Sequence, residues 1–194
     1  MAQRAERTER ADALRNREAV LAAADALFAA SSSPHGVSMD EIAAAAGVGK
    51  GTLFRRFGDR NGLIGAVIAA RLEPVRQAVL EAQRAVGASP RQRVLDLLDA
   101  SLRFKIEHRH LMSAAEEAGL SSPYLAEHYG WWHGTLRAAL DQVPGVHHAD
   151  FTAHALLAAV RADLVAYLID DRKMTPGALR EALAAHLDNV LGAT

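Results

Sequence analysis

No cysteine occurs in the 194 residues, so disulfides and thiolate metal sites are excluded, and the chain suits a reducing compartment. Aromatic residues make up only 5%, and no stretch shows the alternation that marks a strand. No segment reaches the roughly 18 uninterrupted apolar residues of a membrane span. The opening MAQRAERTERADALRNRE lacks the apolar core of a signal peptide. A soluble, cytoplasmic protein with no membrane partner is therefore expected. A large charge of one sign is missing too, the formal net charge being −1. What is abundant is alanine, in runs such as Ala22 to Ala24 and Ala43 to Ala46, which favours helix. With 50% hydrophobic and 23% charged residues, the chain should be globular and all-α, able to bury one substantial core plus a small satellite domain.

The densest information lies in Val37 to Arg60, VSMDEIAAAAGVGKGTLFRRFGDR. Ser38 is a good N-cap, and Glu41 three residues on completes a capping box, so a helix should start at Met39. Met39, Ile42, Ala43 and Ala46 recur at helical spacing, and Gly47 supplies the turn that a β-carbon would resist. Val48 can plug the corner. A second short helix should run from Lys50 to Phe57, with Leu53 and Phe57 facing inward and Thr52, Arg55 and Arg56 outward. Two short helices joined by a glycine turn make a helix-turn-helix, whose second helix enters the major groove with its N-terminal part near base edges. Gly51 and Thr52 permit close approach, arginine pairs with guanine or clamps phosphate, and Lys50 and Arg60 suit backbone phosphates. Lys50, Arg55, Arg56 and Arg60 face one acid, Asp59, a focused positive patch on a nearly neutral chain.

The segment GVGKGTLFRRFGDR, Gly47 to Arg60, closely resembles that of the tetracycline-repressor-like (TetR/AcrR) transcription regulators, whose usual form is G-V-S-K-G-T-L-Y-x-H-F-x-S-K. The resemblance extends over the lead-in REAVLAAADALFAAS and the continuation GLIGAVIAARLE, roughly residues 15 to 73; beyond that only length and helical pattern agree. Gly49 stands in place of a capping serine, a loss of a few tenths of a kcal/mol, roughly. Phe54 replaces the common tyrosine and lacks its hydroxyl. Arg60 replaces a lysine and keeps the charge. The resemblance implies a sequence-specific DNA-binding regulator, a repressor by family habit, with Ser38, Lys50, Gly51, Thr52, Phe54, Arg55, Arg56 and Arg60 as its DNA-binding set.

Residues 1–13 alternate arginine with acids and show no apolar face, which reads as a mobile tail. The first helix is expected from about Leu14 to Ala30, broken by Ser31 to Gly36. Residues 14–60 then form the helix-turn-helix domain, and 61–85 a connecting helix that Asp59 can cap and Pro74 should bend. Residues 86–194 form an effector-binding and dimerisation domain. Its breaks are Gly87 to Pro90, Gly119 to Pro123, Val143-Pro144-Gly145 and Thr175-Pro176-Gly177. The last two helices show wide apolar faces, Ala153, Leu156, Leu157, Val160, Leu164, Tyr167 and Leu168 in one, Leu179, Leu183, Leu187 and Val190 in the other. The surplus suits a two-fold four-helix homodimer interface, as is usual in the family resembled, and a dimer would take a palindromic operator.

A small-molecule effector is expected among the middle helices. Phe104, His108, Met112, Glu116, Tyr124, Trp131, Trp132, Arg161 and Tyr167 are its candidate contacts, mostly apolar with a few polar anchors such as Arg103. An aromatic core is the competing reading of the same residues. Nine histidines keep a metal hydrolase in view as an alternative. Against it, His108 and His110 are two apart, His147-His148 sits by a Pro-Gly loop, and His128, His133 and His154 read as lacking i,i+4 ligand partners. GVGKGT lacks the P-loop spacing. No catalytic residue, metal or cofactor is expected. A helical interaction module that does not meet DNA is the other alternative.

Overall fold

In the computed structural model, α-helices open at Ser38, Ser89 and Thr175, where the sequence supplies a side-chain cap. The structure describes residues 2–31, 36–84, 87–117, 124 and 127–192, with side chains except at 2–6, 8–10, 117 and 127. Among these residues there is no strand. The helices are α1 (Ala2–Ala30), α2 (Met39–Ala45), α3 (Lys50–Phe57), α4 (Arg60–Arg84), α5 (Pro90–Glu107), α6 (Arg109–Glu117), α7 (Glu127–Leu140), α8 (Ala149–Ala159), α9 (Ala162–Asp170) and α10 (Pro176–Leu191). Ser89 and Thr175 each accept from the backbone N–H three residues on, with proline at the next position, which opens α5 and α10.

Two local expectations change. α1 begins at Ala2 rather than near Leu14, because the alanines, arginines and glutamates of the expected tail are strong helix formers even without an apolar face. The single helix expected through residues 153–168 is two, α8 and α9. It breaks where Arg161 turns extended (φ −61, ψ 146), and Lys105 Nζ donates to the freed Val160 carbonyl at 2.5 Å, satisfying a helix C-terminus from another helix. The Lys105 amine is pushed down to about 8, first by burial and then by the nearby Arg161 charge. α7 is described from Glu127, and the expected start at Tyr124 is separated from it by residues 125–126, which lie outside the described residues. The breaks expected at residues 32–35 and 119–123 lie outside the described residues.

The chain folds as two compact units, residues 1–71 with 110–120, and residues 72–109 with 121–194. In the first, Val20, Ala24 and Phe28 of α1, Ile42 of α2, Leu53 of α3, and Leu63, Ile64 and Val67 of α4 are buried, each large side chain worth about 1.5–3 kcal/mol. In the second, α5 packs against α7, α9 and α10, and α7 against α8. Leu97, Leu98 and Leu102 of α5, Leu136 and Leu140 of α7, Leu156 of α8, Val165 of α9 and Leu187 of α10 are all buried. The stretch Ala149–Asp170 is long and apolar enough to cross a membrane by length and composition, but it is the broken pair α8 and α9, with the ion pair Arg161–Asp163 beside the break.

Asp25 ties the first unit together. Its carboxylate accepts from Arg71 Nε of α4 at 2.6 Å and lies 2.7 Å from His110 Nε2 at the start of α6. Burial raises this carboxyl, but the hydrogen bonds from His110 and then Arg71 outweigh it and hold it below the usual 3.8. A depressed carboxyl stabilises the fold above the unfolded-state pKa, and that stability drains as pH falls through the folded-state pKa. Asp25→Asn should therefore cost about 1–3 kcal/mol at neutral pH. The deficit should shrink below pH 4 or so, read as a converging pair of urea midpoints for the two proteins.

Candidate nucleic-acid interface

The turn between α2 and α3 forms as the residues dictate. Ser38 Oγ accepts from the Glu41 N–H at 3.2 Å, and the Ser38 N–H donates to Glu41 Oε2 at 2.8 Å. The capping box is complete, and the backbone and hydroxyl bonds of Ser38 lower the Glu41 carboxyl. The Ser38 hydroxyl also donates to Glu41 Oε2 at 2.7 Å, so both its hydrogen-bonding directions are spent on the cap. Gly47 takes φ 65, a left-handed conformation that an L side chain resists, and the Val48 N–H closes onto the Ala43 carbonyl at 3.0 Å. Gly49 precedes α3 as its N-cap and supplies no side-chain cap.

Leu53 anchors α3 with 1% of its surface exposed, and Phe57 is half-buried under the Arg17 guanidinium of α1, 5.7 Å from the ring centroid. The opposite face carries Gly51, Thr52, Phe54, Arg55 and Arg56, all exposed. The four basic groups differ in what holds them. Arg55 has no hydrogen-bond or ion-pair partner among the described residues. Lys50 pairs with Asp40 of α2 at 2.7 Å and lies 5.9 Å from the Phe54 ring. Arg56 donates to the Ala13 carbonyl of α1 at 2.7 Å. Arg60 turns towards the fold, donating through Nε to the Val37 carbonyl at 3.3 Å, its guanidinium 5.4 Å from the Phe28 ring.

The join from α3 to α4 is equally specific. Gly58 closes α3 at φ 76, and the Asp59 carboxylate accepts from the Gly62 N–H at 2.8 Å, the cap expected for α4. Gly62 lies against the last turn of α3: a Cβ there would fall closer than 3.0 Å to the Phe57 carbonyl oxygen. Sequence reasoning passed over this glycine, although its place three residues after a capping aspartate was a signal.

Residues 20–67, which hold this whole arrangement, match the family model described as bacterial regulatory proteins, tetR family. This segment, residues 20–67, is a domain of the tetR family type. No curated protein matches the chain. Among solved structures, a transcriptional regulator from Rhodococcus sp. Rha1 is similar at 24% identity over 90% of this chain and 95% of its own, with a TM-score of 0.67. A TetR-like transcriptional regulator from Rhodococcus sp. RHA1 follows at 21% identity, 92% and 97% coverage and TM-score 0.64. A structure from Saccharomonospora viridis in complex with choline aligns at 19% identity, 89% and 95% coverage and TM-score 0.68. These are likenesses of fold, and the TetR fold with an N-terminal helix-turn-helix and helical remainder is what they share with this chain.

In the second unit, a cavity of about 490 Å³ opens between the C-terminal part of α4 and α5. Pro74, Val79, Leu97 and Phe104 give it apolar walls, and Arg103 and Glu107 stand among the lining residues. Of the expected ligand contacts, Phe104 lines it. His108 packs on Phe104, ring centroids 4.8 Å apart. Trp132 is buried and meets Trp131 edge-on at 4.8 Å, while Arg76 of α4 lies 4.8 Å from the Trp131 ring. Tyr124 and Arg161 do come together, at 3.4 Å, and Tyr167 is half exposed. Met112 and Glu116 belong to the first unit.

Proposed function

We propose that the protein is a cytoplasmic repressor that binds a palindromic operator as a homodimer and leaves it when a small molecule binds, with no catalytic activity. The observation that carries the DNA half is the exposed face of α3, where Thr52 and an unpartnered Arg55 stand on a helix fixed from behind by Leu53. Lys50 and Arg56 flank them as phosphate contacts. Residues 14–60 act as the DNA-binding domain, 61–85 as the connecting helix, and 86–194 as the effector and dimer region.

The α4–α5 cavity supports the effector half, since it has the size and apolar lining of a small-molecule site; a relative in fold that holds choline supports it further. The ligand acts by binding the form that does not bind DNA more tightly. Phe151 is 73% exposed on α8, Tyr167 50% on α9 and Val190 42% on α10. Apolar groups left bare on the last helices suit a second copy of the chain.

The test is selection of bound sequences from a randomised duplex pool with the purified protein, followed by affinity measurement across salt. A palindromic winner bound by two chains, with affinity falling steeply as salt rises, is the expected result. Salt-insensitive binding without sequence enrichment, at every effector condition tried, would leave the chain as a helical interaction module.

A further inference from the structure

Four side chains on α7 and α8 carry chemistry that DNA binding does not use. Tyr129 and His133 lie four apart on α7, Asp150 and His154 four apart on α8, so each helix presents its pair on one face. The reading that His154 has no such partner overlooked Asp150. α7 packs on α8, and the two imidazoles stack with centroids 3.9 Å apart. One ring nitrogen of each histidine and one Asp150 carboxylate oxygen all lie within 4.8 Å of one another.

The surroundings fix these groups. The Tyr129 hydroxyl lies 2.6 Å from His154 Nδ1, which leaves Nε2 as the outward nitrogen of that ring. The Tyr129 hydroxyl oxygen can accept from Nδ1–H when Nε2 faces an ion. His133 Nε2 lies 3.2 Å from the Asp150 carbonyl oxygen and 3.5 Å from its Oδ1. The Arg137 guanidinium shares that carboxylate at 3.5 Å. Both histidines are half-buried, and Asp150 is exposed.

We propose that His133, His154 and Asp150 bind a first-row divalent transition-metal ion such as zinc, with Tyr129 orienting His154 from behind. Two imidazoles and one carboxylate form a borderline nitrogen and oxygen set that favours zinc, cobalt or nickel over magnesium or calcium. Donors on a tetrahedral ion with bonds of about 2.1 Å lie roughly 3.4 Å apart. The exposed Asp150 carboxylate closes the remaining gap by changing rotamer, exchanging Arg137 for the ion. A hydrogen bond on the ring nitrogen away from the ion, like that to Tyr129, is what a metal-bound histidine uses to hold its tautomer. Three protein ligands leave one position to water, and the ion would tie α7 to α8.

The test titrates the chelator-treated full-length protein with zinc chloride by calorimetry and with cobalt(II) by visible absorption. One ion per chain and d–d bands of a low-coordinate cobalt site are the expected results. Asp150→Asn, an exposed change that leaves the core alone, should weaken binding by at least about tenfold, and Tyr129→Phe by about 10–100-fold. His133→Gln with His154→Gln should abolish it, with circular dichroism showing the helices intact, while His186→Ala on α10 should change nothing. Zinc binding that survives the double glutamine variant would place the ion elsewhere, at His147-His148 for example, and overturn the proposal. Absence of binding by the unaltered protein would do the same.

Discussion

Gly62→Ala should lower stability by about 2–4 kcal/mol, although alanine is the better helix former. The added Cβ meets the Phe57 carbonyl oxygen, and both are backbone-anchored, so no side chain can step aside. Either the end of α3 or the first turn of α4 must shift, and the Asp59 cap on the Gly62 N–H goes with it. Leu53, Leu63 and Ile64, buried at 1% exposure or less on either side of that join, then lose their fit. Gly65→Ala is the control: it lies one turn on in α4, where a Cβ would meet nothing within 4 Å. That variant should be neutral or gain up to about 1 kcal/mol. Thermal midpoints measured side by side decide it, with a drop of about 5–10 °C expected for Gly62→Ala. Equal midpoints for the two variants would mean that the α3–α4 join gives way without resistance.

The second large effect concerns reading. Arg55→Ala should cost about 1–3 kcal/mol on the selected operator and relax the preference at one base pair. Arg56→Ala should cost less, and more evenly across sequences, because its guanidinium already spends one donor on the Ala13 carbonyl. Arg60→Ala should act mainly on stability, since Arg60 faces Val37 and Phe28. Binding isotherms on the operator and on a random duplex separate these cases. If Arg55→Ala loses the same factor on both, α3 grips DNA without reading it.

The helix-turn-helix was legible in the sequence because everything that makes it is local. The capping box spans three residues, the Gly47 turn one, and the Leu53 anchor sits one helical turn from Phe57. The destinations of the basic side chains were not legible. Arg56 ends on Ala13 and Arg60 on Val37, 43 and 23 residues away, and no short-range spacing encodes such meetings. The α8–α9 break has the same origin, for Lys105 donates to the Val160 carbonyl from 55 residues away. The aromatic residues of the second unit were read as one pocket because their helical spacing suits core and ligand site equally. Trp132 is core, whereas Phe104 lines the cavity. The pair Asp150 and His154 could have been read directly, but only the packing of α7 on α8 brings His133 to it.

The hydrogen bond from Arg56 to Ala13 bears on when the cost of ordering is incurred. An arginine that is loose in the free protein loses rotamer freedom on meeting a phosphate, an entropy cost of about 0.5–1.5 kcal/mol at the moment of association. Arg56 has given up that freedom during folding and keeps four of its five N–H donors for a ligand. On the proposed operator, Arg55 would keep its freedom until it finds a base. In that proposal α3 joins a preorganised clamp to an adaptable reader, the first suited to fast, indiscriminate engagement along a duplex and the second to slow release from the correct site.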